Sequence, residues 1–195
     1  LKYRIHVTYK IMEESPLQNY KARQTALLGM LFALSMALSF LESMLTPFLG
    51  LMPAMKLGLS NIVVMYAVLF LNRRSALYLM LLKALFALLT RGVTAGFLSL
   101  CGGALSLAVF CLLLALPFTI TGYIFSVSGA LAHNCGQLLG AAALLSDKMA
   151  ITYAPMLLIA GLIVGSCTYM VSRLIFPAVK RIIPPKSKEE SKITF

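Results

Sequence analysis

The chain predicts an all-α, polytopic membrane protein with six transmembrane helices and both termini cytoplasmic. Its 195 residues are 60% hydrophobic with a mean hydropathy of +0.90, whereas soluble domains carry about 45 to 50% apolar residues. Charged residues make up only 12% of the chain. They gather in the first 23 residues, at Arg73 and Arg74, and after Arg173, so they flank apolar runs instead of breaking them. This distribution divides the chain into a basic cytoplasmic leader over 1–24, a transmembrane domain over 25–176, and a basic tail over 177–195.

The leader sets Lys2, Arg4, Lys10, Lys21 and Arg23 against Glu13 and Glu14, a balance that holds it inside and near the headgroups. The first hydrophobic run begins near Thr25, behind this polar leader, and continues as a full span, which is not the pattern of a cleavable signal peptide. Six runs follow: Thr25–Leu45, Leu57–Leu71, Ser75–Thr90, Phe97–Ile120, Tyr123–Leu145 and Tyr153–Phe176. The second and third are shorter than the roughly 20 residues that a hydrocarbon core needs. They must be extended by loop residues, thin the bilayer, or sit partly inside the bundle. Asn72, Arg73 and Arg74 keep them from forming one long span.

Counting Lys and Arg by side tests the topology. With the amino terminus inside, the inner segments hold thirteen and the outer segments three, namely Lys56, Arg91 and Lys148. That asymmetry fits the positive-inside rule. The final PPKSKEESKITF is rich in proline and charge and is expected to be disordered.

Small residues mark helix faces. Gly29, Ala33 and Ala37 recur every four residues in the first run, Gly136 and Gly140 in the fifth, and Gly161 and Gly165 in the sixth. Such rows let helices approach closely. In the first run the row reads either as packing within the bundle or as a docking face for another membrane protein.

The net charge of +11 reads as topology and contact with anionic lipid, not nucleic-acid binding, because the basic residues flank spans. Cys101, Cys111, Cys135 and Cys167 lie within apolar runs without a CxxC pair, which predicts packing residues. There is no G-x-x-x-x-G-K-[ST], and thus no P-loop ATPase chemistry. Asp147 is the sole aspartate, so the paired aspartate-rich sites that hold magnesium for diphosphate chemistry are missing. His6 and His133 are too few for a metal cage, and no nucleophile has a base and orienter at a recognisable spacing. The chain is therefore expected to be neither an enzyme nor a metal or cofactor protein.

The polar residues inside apolar runs are the candidates for function. GALAHNCGQLLGAAAL, residues 129–144, places His133 and Gln137 one helical turn apart, with Asn134 about 100° away. Each buried amide or imidazole without a partner costs about 1 to 3 kcal/mol, so the three must be paired, hydrated or facing a ligand. Either they glue helices together or they line a cavity. Lys83 lies mid-span, where an ammonium costs at least about 2.5 kcal/mol. Together with Arg91 it climbs one wall of an outward-facing cavity, or it snorkels or pairs with Glu42. The outer segment LGLMPAMKLGLSN, residues 49–61, interrupts helix at Pro53 and Gly58 around Lys56 before Asn61. It is either a lid or binding segment or an exposed connector. The outer stretch 90–103 is similarly glycine-rich and is a second candidate to close over a ligand. Lys56, Lys83 and Arg91 favour an anionic group, while Asn61, His133, Asn134 and Gln137 orient polar parts.

KLGLSNIVVMYAVLFL, residues 56–71, and GALAHNCGQLLGAA, residues 129–142, resemble the bacterial membrane family labelled heptaprenyl diphosphate synthase component I, also called the Gx transporter family. The resemblance spans about residues 25 to 176. That family is similar to the S components of energy-coupling factor transporters. What this implies is a six-helix bundle in the bacterial cytoplasmic membrane that captures a small molecule from outside. The implied partners are a membrane coupling subunit and two ATPases, docked on a first-helix AxxxA surface matched here by Ala33 and Ala37. Some relatives appear beside flavin- or quinone-linked redox proteins. An accessory or scaffolding role is the alternative implied.

Overall fold

The computed structural model describes residues 2–50, 56–144, 147–182 and 193–194. Six helices dominate it: α1 over Lys2–Leu45, α2 over Asn61–Tyr66, α3 over Arg73–Arg91, α4 over Val93–Ala115, α5 over Gly122–Leu144 and α6 over Asp147–Ile182. A 3₁₀ turn, Thr46–Leu49, closes α1, and a wider π-type turn, Ala67–Leu71, continues α2. Three stretches, Gln24–Phe48 in α1 and its closing turn, Val93–Ala115 in α4 and Ala150–Leu174 in α6, are long and apolar enough to cross a bilayer. α5 matches them in length, and its polar residues lower its hydropathy; α3 carries Lys83 in its middle.

α1 includes the leader as helix. Its exposed residues include Met30, Leu34, Phe40, Leu41, Met44 and Leu45, an apolar surface suited to lipid. Its buried stripe is Leu31, Ser35, Ser39, Glu42 and Thr46, spaced by three or four residues and mostly polar. This helix is therefore apolar outside and polar inside, the reverse of a soluble helix.

The short second run lies inside the bundle. Val63 to Leu71 are all buried, and with Leu79, Met80, Phe110, Leu114 and Phe125 they form one hydrophobic cluster. Its eleven helical and π-turn residues, 61–71, rise only about 16 Å at 1.5 Å per residue. The missing length is supplied by the non-helical residues 56–60, whose Lys56, Leu57 and Ser60 are also buried. A second cluster at the opposite end contains Leu57, Leu98, Ala141, Ala150, Leu157 and Val164.

Helices α4, α5 and α6 pack through glycine. A Cβ on Gly136 would lie 2.5 Å from the Cys101 carbonyl oxygen and 2.8 Å from Gly102 Cα, so α4 and α5 touch backbone to backbone. Gly165 plays the same part between α6 and α5, where a Cβ would meet Val127 Cα at 2.7 Å. Both glycine rows thus serve internal packing. Gly29, Ala33 and Ala37 differ: all three are exposed, and nothing lies within 4 Å of a Cβ on Gly29.

Two residues of the tail are ordered in a short parallel pair, Ile193–Thr194 (β2) against Ile120–Thr121 (β1). The pair sets the α4–α5 connector beside residues 193–194. The rest of the tail through residue 192, from 183 onward, lies outside the described residues, as does Pro53 in the outer loop.

Candidate functional site

Polar side chains converge in the layer between the two hydrophobic clusters. His133 stands eleven residues from either end of α5, and Lys83 is similarly central in α3, so both lie near the middle of the bundle. His133 and Asn134 are 0% exposed, Gln137 1%, Lys56 2%, and Asn61 and Lys83 4%. Glu42 and Ser60, from α1 and the 56–60 segment, are fully buried beside them.

The 56–61 segment organises the layer. Its interrupted backbone exposes peptide groups that a helix would satisfy internally, and α5 replaces those partners. Lys56 N–H donates to Gln137 Oε1 at 2.9 Å, and Gln137 Nε2 donates to the Lys56 carbonyl at 3.0 Å. One amide therefore closes both polar groups of one residue, as a neighbouring strand would. Lys56 Nζ donates to Ser39 Oγ on α1. Gly58 turns the chain with φ +97°, and a Cβ there would meet the His133 ring at 3.3 Å. Glycine is thus required by both conformation and space. Ser60 Oγ donates to Glu42 Oε2 at 3.1 Å. Asn61 Nδ2 donates to Ser106 Oγ at 2.7 Å and reaches the Gly129 carbonyl at 3.4 Å.

Asn134 points the other way, as its 100° offset requires. Its Nδ2 donates to the Leu157 carbonyl of α6 at 2.7 Å, across Gly161, where a Cβ would stand 3.0 Å from that nitrogen. Its Oδ1 remains near Gly58, 3.5 Å from where a Cβ would sit. The imidazole of His133 is wedged between Gly58 and Gly102, with Cε1 2.9 Å from a Cβ placed on Gly102.

Among the described residues, Lys83 Nζ, Asn134 Oδ1, Asn61 Oδ1 and Ser99 Oγ in this layer are buried without a hydrogen-bond partner, while the Glu42 carboxyl faces the Leu59 and Ser60 N–H groups and the His133 ring faces the Gly102 backbone. Glu42 and Lys83 attract one another, and the Lys83 charge also acts on His133. Lys83 has therefore neither snorkelled to a headgroup nor closed a hydrogen bond with Glu42. Arg91, half-buried at the end of α3, also feels the Glu42 carboxylate. Native interiors rarely leave such groups unsatisfied, because each costs about 1 to 3 kcal/mol.

The structure brings Lys56, Asn61, His133, Asn134 and Gln137 into one buried layer, and Lys83 is buried at the middle of α3. Gln137 and Lys56 are largely consumed in holding the 56–61 segment. Sequence reasoning gave Ser39, Ser60, Ser99 and Ser106 no role and treated Glu42 only as a partner for Lys83. The signal was available in α1, where Ser35, Ser39, Glu42 and Thr46 recur at helical spacing within an apolar span. Among the described residues no group of three His, Cys, Asp or Glu could hold a metal ion.

Fold and site together define a polytopic helical membrane protein with a polar layer buried at mid-depth. The family model for heptaprenyl diphosphate synthase component I matches residues 31–175, most of the chain, and the protein belongs to that family. No curated protein and no solved structure showed significant similarity to the chain.

Proposed function

We propose that this protein is the substrate-binding membrane subunit of an importer of the energy-coupling factor type. It would sit in the bacterial cytoplasmic membrane, capture a small organic solute from outside, and be energised by ATPases in trans. The observation that carries this reading is the burial of Glu42, Lys83, His133 and Asn134 within an otherwise apolar bundle, with Lys83 Nζ and Asn134 Oδ1 unpartnered among the described residues. Polar groups at that depth are retained against an insertion cost when something polar is handled there. Lys56 and Gln137 shape the site by fixing the irregular segment, Asn61 anchors its cytoplasmic end, and Arg91 stands at the outer end of the wall that Lys83 begins.

Energy must then come from a partner, because the sequence has no nucleotide-binding loop. The exposed Gly29, Ala33 and Ala37 row supplies a smooth face on which a membrane coupling subunit can seat. Affinity purification of the full chain from its native membrane tests this. A coupling subunit with two ATPases is the expected result, and their consistent absence would defeat the importer reading.

The family description favours a second reading, a non-transporting membrane component that anchors a prenyl diphosphate synthase. The same purification separates the two, since this reading predicts a soluble prenyltransferase in place of the ATPases.

A further inference from the structure

The only sheet among the described residues joins the tail to the connector between α4 and α5. β2 runs parallel to β1, with Ile193 opposite Ile120 and Thr194 opposite Thr121. Successive strand residues point to opposite faces, and both strands read buried, then exposed. The two isoleucines are each 6% exposed and belong to the hydrophobic cluster that holds Phe70, Leu71, Leu114 and Phe125. The two threonines face outward. A matched β-branched pair thus lies on the inner face of the ladder and a matched hydroxyl pair on the outer one.

The connector needs a partner of this kind. Leu116 leaves α4 in extended backbone, at φ −65° and ψ 146°, and α5 begins only at Gly122. Extended residues cannot pair their own peptide groups, and Ile120 is buried away from water, so a neighbouring strand has to serve them. The hold is weak all the same. Parallel pairing is the less stable kind per residue, and two strands alone are marginal in water. What secures the ladder is the burial of one isoleucine side chain, set against the entropy of fixing the backbone around it, and these opposing terms are of similar size. The helices it rests on do not share that weakness, because α4, α5 and α6 meet through Gly136 and Gly165 with no part played by the tail.

We propose that residues 193–194 form a releasable strap. Docked, the strap holds the α4–α5 connector and the first turn of α5 against the hydrophobic cluster, with Ile193 as its anchor. Released, it uncovers Ile120 and leaves an unpaired strand edge at the start of α5. The same helix carries His133, Asn134 and Gln137, so the tail has a mechanical route to the helix that builds the polar layer. This device does not depend on what that layer binds.

The test uses the full chain in lipid nanodiscs, with hydrogen–deuterium exchange read by mass spectrometry over residues 116–124. Ile193→Asp, or a chain ending at Lys192, should raise exchange there about tenfold or more, while peptides from α4, α6 and the rest of α5 keep their protection. Thr194→Ser alters only an outward side chain and should stay within about twofold. Equal exchange with and without residues 193–195 overturns the proposal. Loss of protection throughout the bundle overturns it too, since the pair would then be part of the core and not a strap. A second measurement leaves the isoleucines in place. Neighbouring strands lie about 4.7 to 4.9 Å apart, within disulfide reach, so mild oxidation of the Thr121→Cys, Thr194→Cys double variant should join those two peptides within one chain, with each single variant as control. No link, or a link only between two chains, overturns the strap.

Discussion

Replacing Gln137 with leucine removes one side chain and unpairs two backbone groups. The shape and volume change little, so the effect isolates the polar clamp on the 56–61 segment. Two hydrogen bonds are lost, at 2.9 and 3.0 Å, and the N–H and C=O of Lys56 remain buried with Lys56 only 2% exposed. If the only loss were two average interhelical bonds in a membrane, at about 0.6 kcal/mol each, the cost would be about 1.2 kcal/mol. Leaving two buried backbone groups unsatisfied costs more, about 1 to 3 kcal/mol each, or about 2 to 6 kcal/mol together. The second figure applies here, because the segment has no helix of its own to fall back on. Gln137→Glu should be intermediate, since it keeps the acceptor for the Lys56 N–H and loses the donor to its carbonyl. The assay is reversible unfolding in mixed micelles, read by circular dichroism, with trypsin cleavage near Lys56 as a local probe. A loss below about 0.5 kcal/mol for Gln137→Leu, with unchanged cleavage, would show that the segment does not depend on this clamp.

Other sites give sharper contrasts. Gly136→Val should destabilise the bundle by more than about 2 kcal/mol, because even a Cβ would lie 2.5 Å from the Cys101 carbonyl oxygen; the same unfolding titration measures it. Gly58→Ala should cost about 1 to 2 kcal/mol for its left-handed backbone, plus crowding against His133, and a thermal melt no lower than that of the unsubstituted protein would contradict it. Ala33→Trp combined with Ala37→Trp falls on an exposed face, so stability should change by less than about 0.5 kcal/mol. Partner recovery in affinity purification should nonetheless collapse. Retention of the partners by that double variant would remove this face from the docking account.

Much of the architecture was legible because lipid leaves the chain few choices. Apolar runs and the side bias of Lys and Arg marked the helices, and α3 to α5 end within a few residues of the runs that announce them. The second run was harder. Its shortness signalled an unusual position, but only contacts made by residues 81 positions away, Gln137 to Lys56, explain how its non-helical lead-in can be buried. Small-residue rows illustrate the limit of pattern reading. Gly136, Gly161 and Gly165 pack internally while Gly29, Ala33 and Ala37 face outward, and the spacing is the same in both cases. His133, Asn134 and Gln137 were conspicuous as polar residues in an apolar helix. Their division of labour was not, because a helical wheel gives directions and not partners. The serines escaped notice since each is small enough to pass as a packing residue, although the row Ser35, Ser39, Glu42 and Thr46 repeats with helical period.

Native mass spectrometry of the intact protein released from nanodiscs addresses the solute site most directly. The unsubstituted chain should carry one small, non-lipid adduct per molecule, and Lys83→Met should lose that adduct while keeping its bound lipids. A chain that carries lipid alone, with identical spectra before and after the substitution, would contradict a solute site in the buried polar layer.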